Sequence, residues 1–212
     1  MVTAVVDIET DTLDATKIHC IVASSISGKQ KVWIEDECQQ FSDWSRQIDQ
    51  FIMHNGISFD APILNRLTGS NIKLSQVRDT LIESQLYNPI RDGGHSLQSW
   101  GERLGYSKGD YNDFTAFNKE MLEYCQRDTE LTRKVAGVLS GEGSSFSDRS
   151  YNLERKVRAK VLIYRKPQSF YLNLKMNSIV LKKKHRKCLS LLRLSLKQKL
   201  NTYHLILPAE NR

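Results

Sequence analysis

Residues 2–8, VTAVVDI, form an unbroken run of β-branched and apolar side chains that delivers Asp7 and Glu9 two positions apart. Such side chains pack well on a pleated surface, and a short run without alternation suits a strand buried on both faces. Alternate residues of a strand share a face, so Asp7 and Glu9 point the same way. Two carboxylates on a buried strand repel each other and lose hydration, a cost that a bound cation offsets. Read alone, the pair is equally well explained by Asp7 capping the strand end beside a solvated Glu9, because the DxE tripeptide is common.

The pattern beyond predicts strands at 18–26 and 30–35, joined by a Ser27-Gly28-Lys29 hairpin turn. It predicts a helix from Ser42 to about Met53, with Phe41, Trp44, Ile48, Phe51 and Ile52 on one side. His54-Asn55-Gly56 ends that segment, and a short helix from Asp60 carries Ile63, Leu64 and Leu67. Residues 76–88 read as a strand end passing into a helix, and SLQSWGERLG as a helix entered after Gly93-Gly94 and closed by Gly105. Residues 106–117 are turn-rich, and a long helix from Asn118 to about Leu139 spaces Met121, Leu122, Cys125, Leu131 and Val135 on one face. Strands first, then strands alternating with helices, place the chain in the α/β class with a mixed central sheet flanked by helices.

Charge divides the chain. Residues 151–212 hold 16 Lys and Arg against Glu154 and Glu210, a net of +14, whereas residues 1–150 hold 15 basic and 22 acidic residues, a net of −7. This asymmetry marks out a domain over 1–140, a linker over 141–150 rich in Gly and Ser, and a basic tail over 151–212. The tail reads either as a basic amphipathic helix for nucleic acid or a membrane surface, or as the product of a shifted reading frame. No apolar run approaches the roughly 18 residues that span a bilayer. The start lacks the pattern of a secretory signal, and Cys20, Cys38, Cys125 and Cys188 show no paired spacing. Free thiols in a reducing cytoplasm follow, the host's if the source is a phage.

Two further carboxylates join the first pair in order along the chain: Asp60 in HNGISFD, and Asp128 in YCQRD, one helical turn after Tyr124. Carboxylate oxygens without His or Cys partners point to Mg²⁺ or Mn²⁺ in preference to zinc. The ordered set DIET, HNGISFD and YCQRD resembles the exonuclease domain of family A DNA polymerases of bacteriophage type, within the DEDD superfamily, tyrosine subtype. DIETDTLD matches along its length, and GGHSLQSWGERLGYSKGDYNDF is similar to the phage segment that precedes the third motif, so the likeness covers about residues 2–140. SYNLERKVRAKV is similar, over a dozen residues, to the helix that opens the polymerase part of those enzymes.

The resemblance implies an RNase H-like exonuclease fold and a 3′→5′ exonuclease of the proofreading type, acting on single-stranded DNA 3′ ends with two divalent ions. It implies that Asp7, Glu9 and Asp128 hold the first ion, that Asp7 bridges to the second, and that Asp60 acts through that ion's water shell. Tyr124 matches the residue that orients or deprotonates the attacking water. Thr10 and Leu13 match contacts to the terminal nucleotide, and Asn55 a position near the scissile end. Phe59 stands where many relatives carry Tyr. A polymerase domain or replication proteins are the implied partners. Two other readings remain open on sequence: an RNA 3′-processing exonuclease of the same fold, and a non-catalytic nucleic-acid-binding module. His19, His54 and His95 read as structural or loop residues, and Trp33, Trp44 and Trp100 as core.

Overall fold

A computed structural model describes residues 1–165. Its strands are β1 (Thr3–Thr10), β2 (Ile18–Ser25), β3 (Gln30–Ile34), β4 (Gln50–Met53) and β5 (Val77–Asp79). Its α-helices are α1 (Phe41–Ser45), α2 (Asp60–Leu67), α3 (Thr80–Tyr87), α4 (Leu97–Arg103), α5 (Lys119–Glu142) and α6 (Asp148–Arg165). The strands form one mixed sheet in the order β3-β2-β1-β4-β5. β1 pairs antiparallel with β2, and β2 with β3, through a turn where Gly28 takes a φ of +91° that disfavours other residues. On its other edge β1 pairs parallel with β4, which pairs parallel with β5.

β1 is central and covered on both faces, which is why its sequence is apolar throughout. Ala4, Val6 and Ile8 join Ile21, Phe51, Met53, Phe41, Ala61 and Leu64 in the larger core. On the opposite face Val5 packs with Ile52 and Ala136, and Cys20 and Val22 pack with Met121 and Cys125, so α5 lies along this side. Asn118 caps α5 by accepting the Met121 amide at 2.8 Å, and Ser96 caps α4 through the Ser99 amide at 3.1 Å. His19, Trp33 and Trp100 are buried, as expected of core residues.

One expectation is corrected. The helix expected over 42–53 is only the short α1, preceded by a 3₁₀ turn (Glu35–Gln40) and followed by the strand β4. Four residues, three of them apolar, fit either state, and the open edge of β1 decides, because it offers backbone partners that only a strand can use. α5 runs to Glu142, two residues beyond the end expected for the domain, and a 3₁₀ turn (Gly143–Ser145) and two further residues lead into α6. One compact unit extends over Met1–Tyr164. α6 is tied back to β5 and α3: the Asp79 amide donates to the Tyr151 hydroxyl at 2.6 Å, Arg155 donates to the Ser75 carbonyl at 3.2 Å, and Arg158 to Gln85 at 2.5 Å. The readings of the basic tail over 166–212 lie outside the described residues. Among the described residues no helix is long and apolar enough to cross a membrane.

Candidate active site

The period of two along β1 puts Asp7 and Glu9 on the face that α5 covers, and α5 brings Cys125 and Asp128, both buried, to that side. Ligand atoms of Asp7, Glu9 and Cys125 all lie within 4.8 Å of one another. The third segment arrives from β4: the chain turns through Asn55, at a φ of +66°, and starts α2 at the buried Asp60. Asp60 exerts the largest repulsion among the charges acting on Asp7.

Burial is the first cause of the unusual proton affinities here. Asp7 is held well above the ordinary carboxylate range by burial, then by Asp60, Glu9 and Asp128. Burial, then Asp128, pushes Glu9 up to about 8. Burial raises Asp60 to about 7 against the pull of backbone amides, its own and that of Ile8. Asp128 is raised by burial and relieved by Lys108, whose Nζ lies 2.9 Å from its Oδ2. Burial also raises the Tyr124 hydroxyl, against the pull of the nearby Lys108 ammonium. The Cys125 thiol, raised far by burial, donates to Asp7 Oδ2 at 3.7 Å.

The donor set fits a divalent cation. Three buried carboxylates (Glu9, Asp60, Asp128) and the half-buried Asp7 converge with the Lys108 ammonium facing Asp128, and the buried Asp128 Oδ1 has no hydrogen-bond partner among the described residues. An excess of hard oxygens held against their own repulsion suits Mg²⁺ or Mn²⁺.

The predicted residues fall into two groups. Asp7, Glu9, Asp60, Tyr124 and Asp128 are brought together. Thr10, Leu13 and Asn55 flank them: Thr10 is buried with its hydroxyl bonded to the Thr12 carbonyl at 2.9 Å, Leu13 is 90% exposed, and Asn55 donates its amide to Asp79 at 3.1 Å. Phe59 immediately precedes Asp60 and packs against the larger core. Sequence reasoning missed Lys108, Cys125 and Asp79. Cys125 was read only as an apolar position, and Lys108 only as part of a polar turn. Asp79, before Thr-Leu-Ile, carried a helix-cap signal. Its carboxylate accepts the amides of Leu81 (3.0 Å) and Ile82 (3.4 Å) at the start of α3, and those of Asn55 and Ile57 at 3.1 Å each. It therefore fixes the loop that delivers Asp60. His54, lowered to about 4 by burial first, bonds through Nδ1 to the Thr80 hydroxyl at 2.9 Å, and His95 bonds to Ser84.

No family model matches the chain. The DNA-directed DNA polymerase of Escherichia phage T7 is 26% identical over 193 residues, covering 66% of this chain and 27% of that protein. The DNA-directed DNA polymerase of Enterobacteria phage T3 is 30% identical over 105 residues, covering 41% of this chain and 15% of its own. The chain thus spans about a quarter or less of the length of these curated relatives. Among solved structures, Brucella melitensis NrnC superposes with a TM-score of 0.61 at 20% identity, covering 77% of this chain and 86% of that one. NrnC with bound Mg²⁺ superposes at 0.59 and 19% identity, again over 77% and 86%. The fold is the RNase H-like exonuclease fold that the motifs implied.

Proposed function

We propose that this chain, whose curated relatives are phage DNA polymerases, is a metal-dependent 3′→5′ exonuclease that removes nucleotides from DNA 3′ ends. One observation carries the reading: β1, α2 and α5 bring the buried Glu9, Asp60 and Asp128, the half-buried Asp7 and Tyr124 to one place, at a cost that a binding module without chemistry would not need.

Asp7, Glu9, Asp60 and Asp128 would hold the divalent ions. Two Mg²⁺ or Mn²⁺ ions bound there would supply the positive charge that acidifies a water and steadies the attacking and leaving oxygens at phosphorus. Tyr124, its proton held more tightly than that of an ordinary tyrosine, remains a hydrogen-bond donor at neutral pH and orients the attacking water. Leu13, an exposed leucine three residues after the end of β1, serves as an apolar wedge against the terminal base, and Thr10 contacts the same nucleotide. Asn55 holds the strand near the scissile bond. A polymerase domain or replication proteins working on the same primer end, in the host cytoplasm, are the partners this implies.

The test is digestion of 5′-labelled single-stranded DNA with Mg²⁺ or with EDTA. A ladder shortened from the 3′ end with Mg²⁺, and intact DNA with EDTA, is the expected result. Absence of digestion, or digestion that survives EDTA, overturns the reading. NrnC has been solved bound to pGG, so labelled RNA is the comparison substrate. Faster loss of RNA than of DNA would favour the RNA-processing alternative.

A further inference from the structure

Lys108 is not an incidental neighbour of the carboxylates. The loop that carries it is locked on two sides: the Tyr106 amide donates to the Gly101 carbonyl at 2.9 Å, and Arg127 Nε donates to the Ser107 carbonyl at 2.5 Å. At Gly101 the approach is so close that a Cβ would lie 2.7 Å from the Tyr106 carbonyl oxygen and 3.2 Å from the Lys108 amide nitrogen. The Lys108 ammonium lies 2.9 Å from Asp128 Oδ2 and 5.0 Å from the centre of the Tyr124 ring, with its side chain 24% exposed. Neighbouring basic residues of α5 are engaged elsewhere: Arg133 and Lys134 pair with Glu130, and Arg127 stacks on Tyr106.

Charge counting gives this lysine a use. Four carboxylates balance two divalent ions, and Lys108 then leaves one positive charge over. A phosphodiester brings one negative charge. In the absence of metal, the same ammonium pairs with the Asp128 carboxylate beside the Tyr124 ring.

We infer that Lys108 is a resident counter-cation of the centre: a divalent ion displaces it from Asp128, and it then serves the scissile phosphate. This rests on the metal-dependent reading above. Lys108 therefore competes with metal, while stabilising the metal-free protein and positioning the substrate.

The full-length protein and its Lys108→Met, Lys108→Arg and Lys134→Met variants are titrated with Mn²⁺ by calorimetry, and melted in EDTA. Lys108→Met should bind Mn²⁺ at least about tenfold more tightly, the scale of removing one charge a few ångströms away. Its melting temperature in EDTA should fall, and its KM for DNA should rise. Lys108→Arg should restore the EDTA melting temperature, and Lys134→Met should bind Mn²⁺ like the parent. If Lys108→Met folds only with Mn²⁺ present, the inference is supported; Lys108→Gln repeats the titration if Lys108→Met does not fold at all. Equal or weaker Mn²⁺ binding by the neutral variant overturns the inference alone. No Mn²⁺ binding by the parent overturns the metal-dependent reading itself.

Discussion

Glu9 near 8 and Asp60 near 7 both hold their protons more tightly when folded, with burial as the leading cause. A carboxyl raised on folding contributes stability that is complete below its unfolded value, about 4, and is lost as pH rises through the folded one. The metal-free protein therefore pays increasingly for these groups between about pH 4 and 8. Metal binds their ionised form and offsets that loss. The difference in melting temperature between Mn²⁺ and EDTA should grow from pH 5 to pH 8, measured by calorimetric scans. His54 titrates with the opposite sign, but its contribution cancels in the difference. A difference independent of pH would mean that these carboxylates do not meet the metal. Asp7→Ala or Asp128→Ala should slow digestion by about 10³-fold or more while DNA binding in EDTA persists, because on the proposed reading each would remove a ligand of the catalytic ion. Tyr124→Phe, which keeps the ring and loses a positioning donor, should cost about 10²-fold in single-turnover rate. Parent-like rates in any of the three would detach that residue from the site.

Between elements, the joint of α6 with β5 is the least obvious from sequence. The Tyr151 hydroxyl accepts the amide of the fully buried Asp79 and donates to the Val77 carbonyl at 3.3 Å. The Asp79 carboxylate in turn accepts the Asn55 and Ile57 amides, so helix, strand and site loop form one hydrogen-bonded chain. Tyr151→Phe leaves a buried amide unpaired and should cost about 1–3 kcal/mol of unfolding free energy in urea titration. A cost below about 0.3 kcal/mol would show that water replaces the hydroxyl without penalty.

At the largest scale described, Met1–Tyr164 form one compact unit, closed by its last helix as by a clasp. Ending the chain at residue 145 removes the contacts of Tyr151, Arg155 and Arg158; ending it at 165 keeps them. The shorter chain should melt roughly 5–10 °C lower, since at this size each kcal/mol shifts the midpoint by about 2–4 °C. Equal melting temperatures would make α6 an appendage and return the boundary to the end of α5.

Much of the site was legible because its parts are local. A β-branched run ending in DIET announces a buried strand with paired carboxylates, and one helical turn between Tyr124 and Asp128 announces a shared face. These periodicities are properties of the backbone and need no partner to be read. The strand state of Gln50–Met53, the return of α6, and the roles of Lys108 and Asp79 were decided by tertiary structure. A four-residue, mostly apolar segment takes the state its neighbour can pair with. A charged side chain in a turn acquires a role only when a distant helix brings Asp128 to within 2.9 Å of it. The composition shift after residue 150 marked a true change in charge, but the fold runs past it, because α6 is held by hydrogen bonds to β5 and α3 that composition does not record.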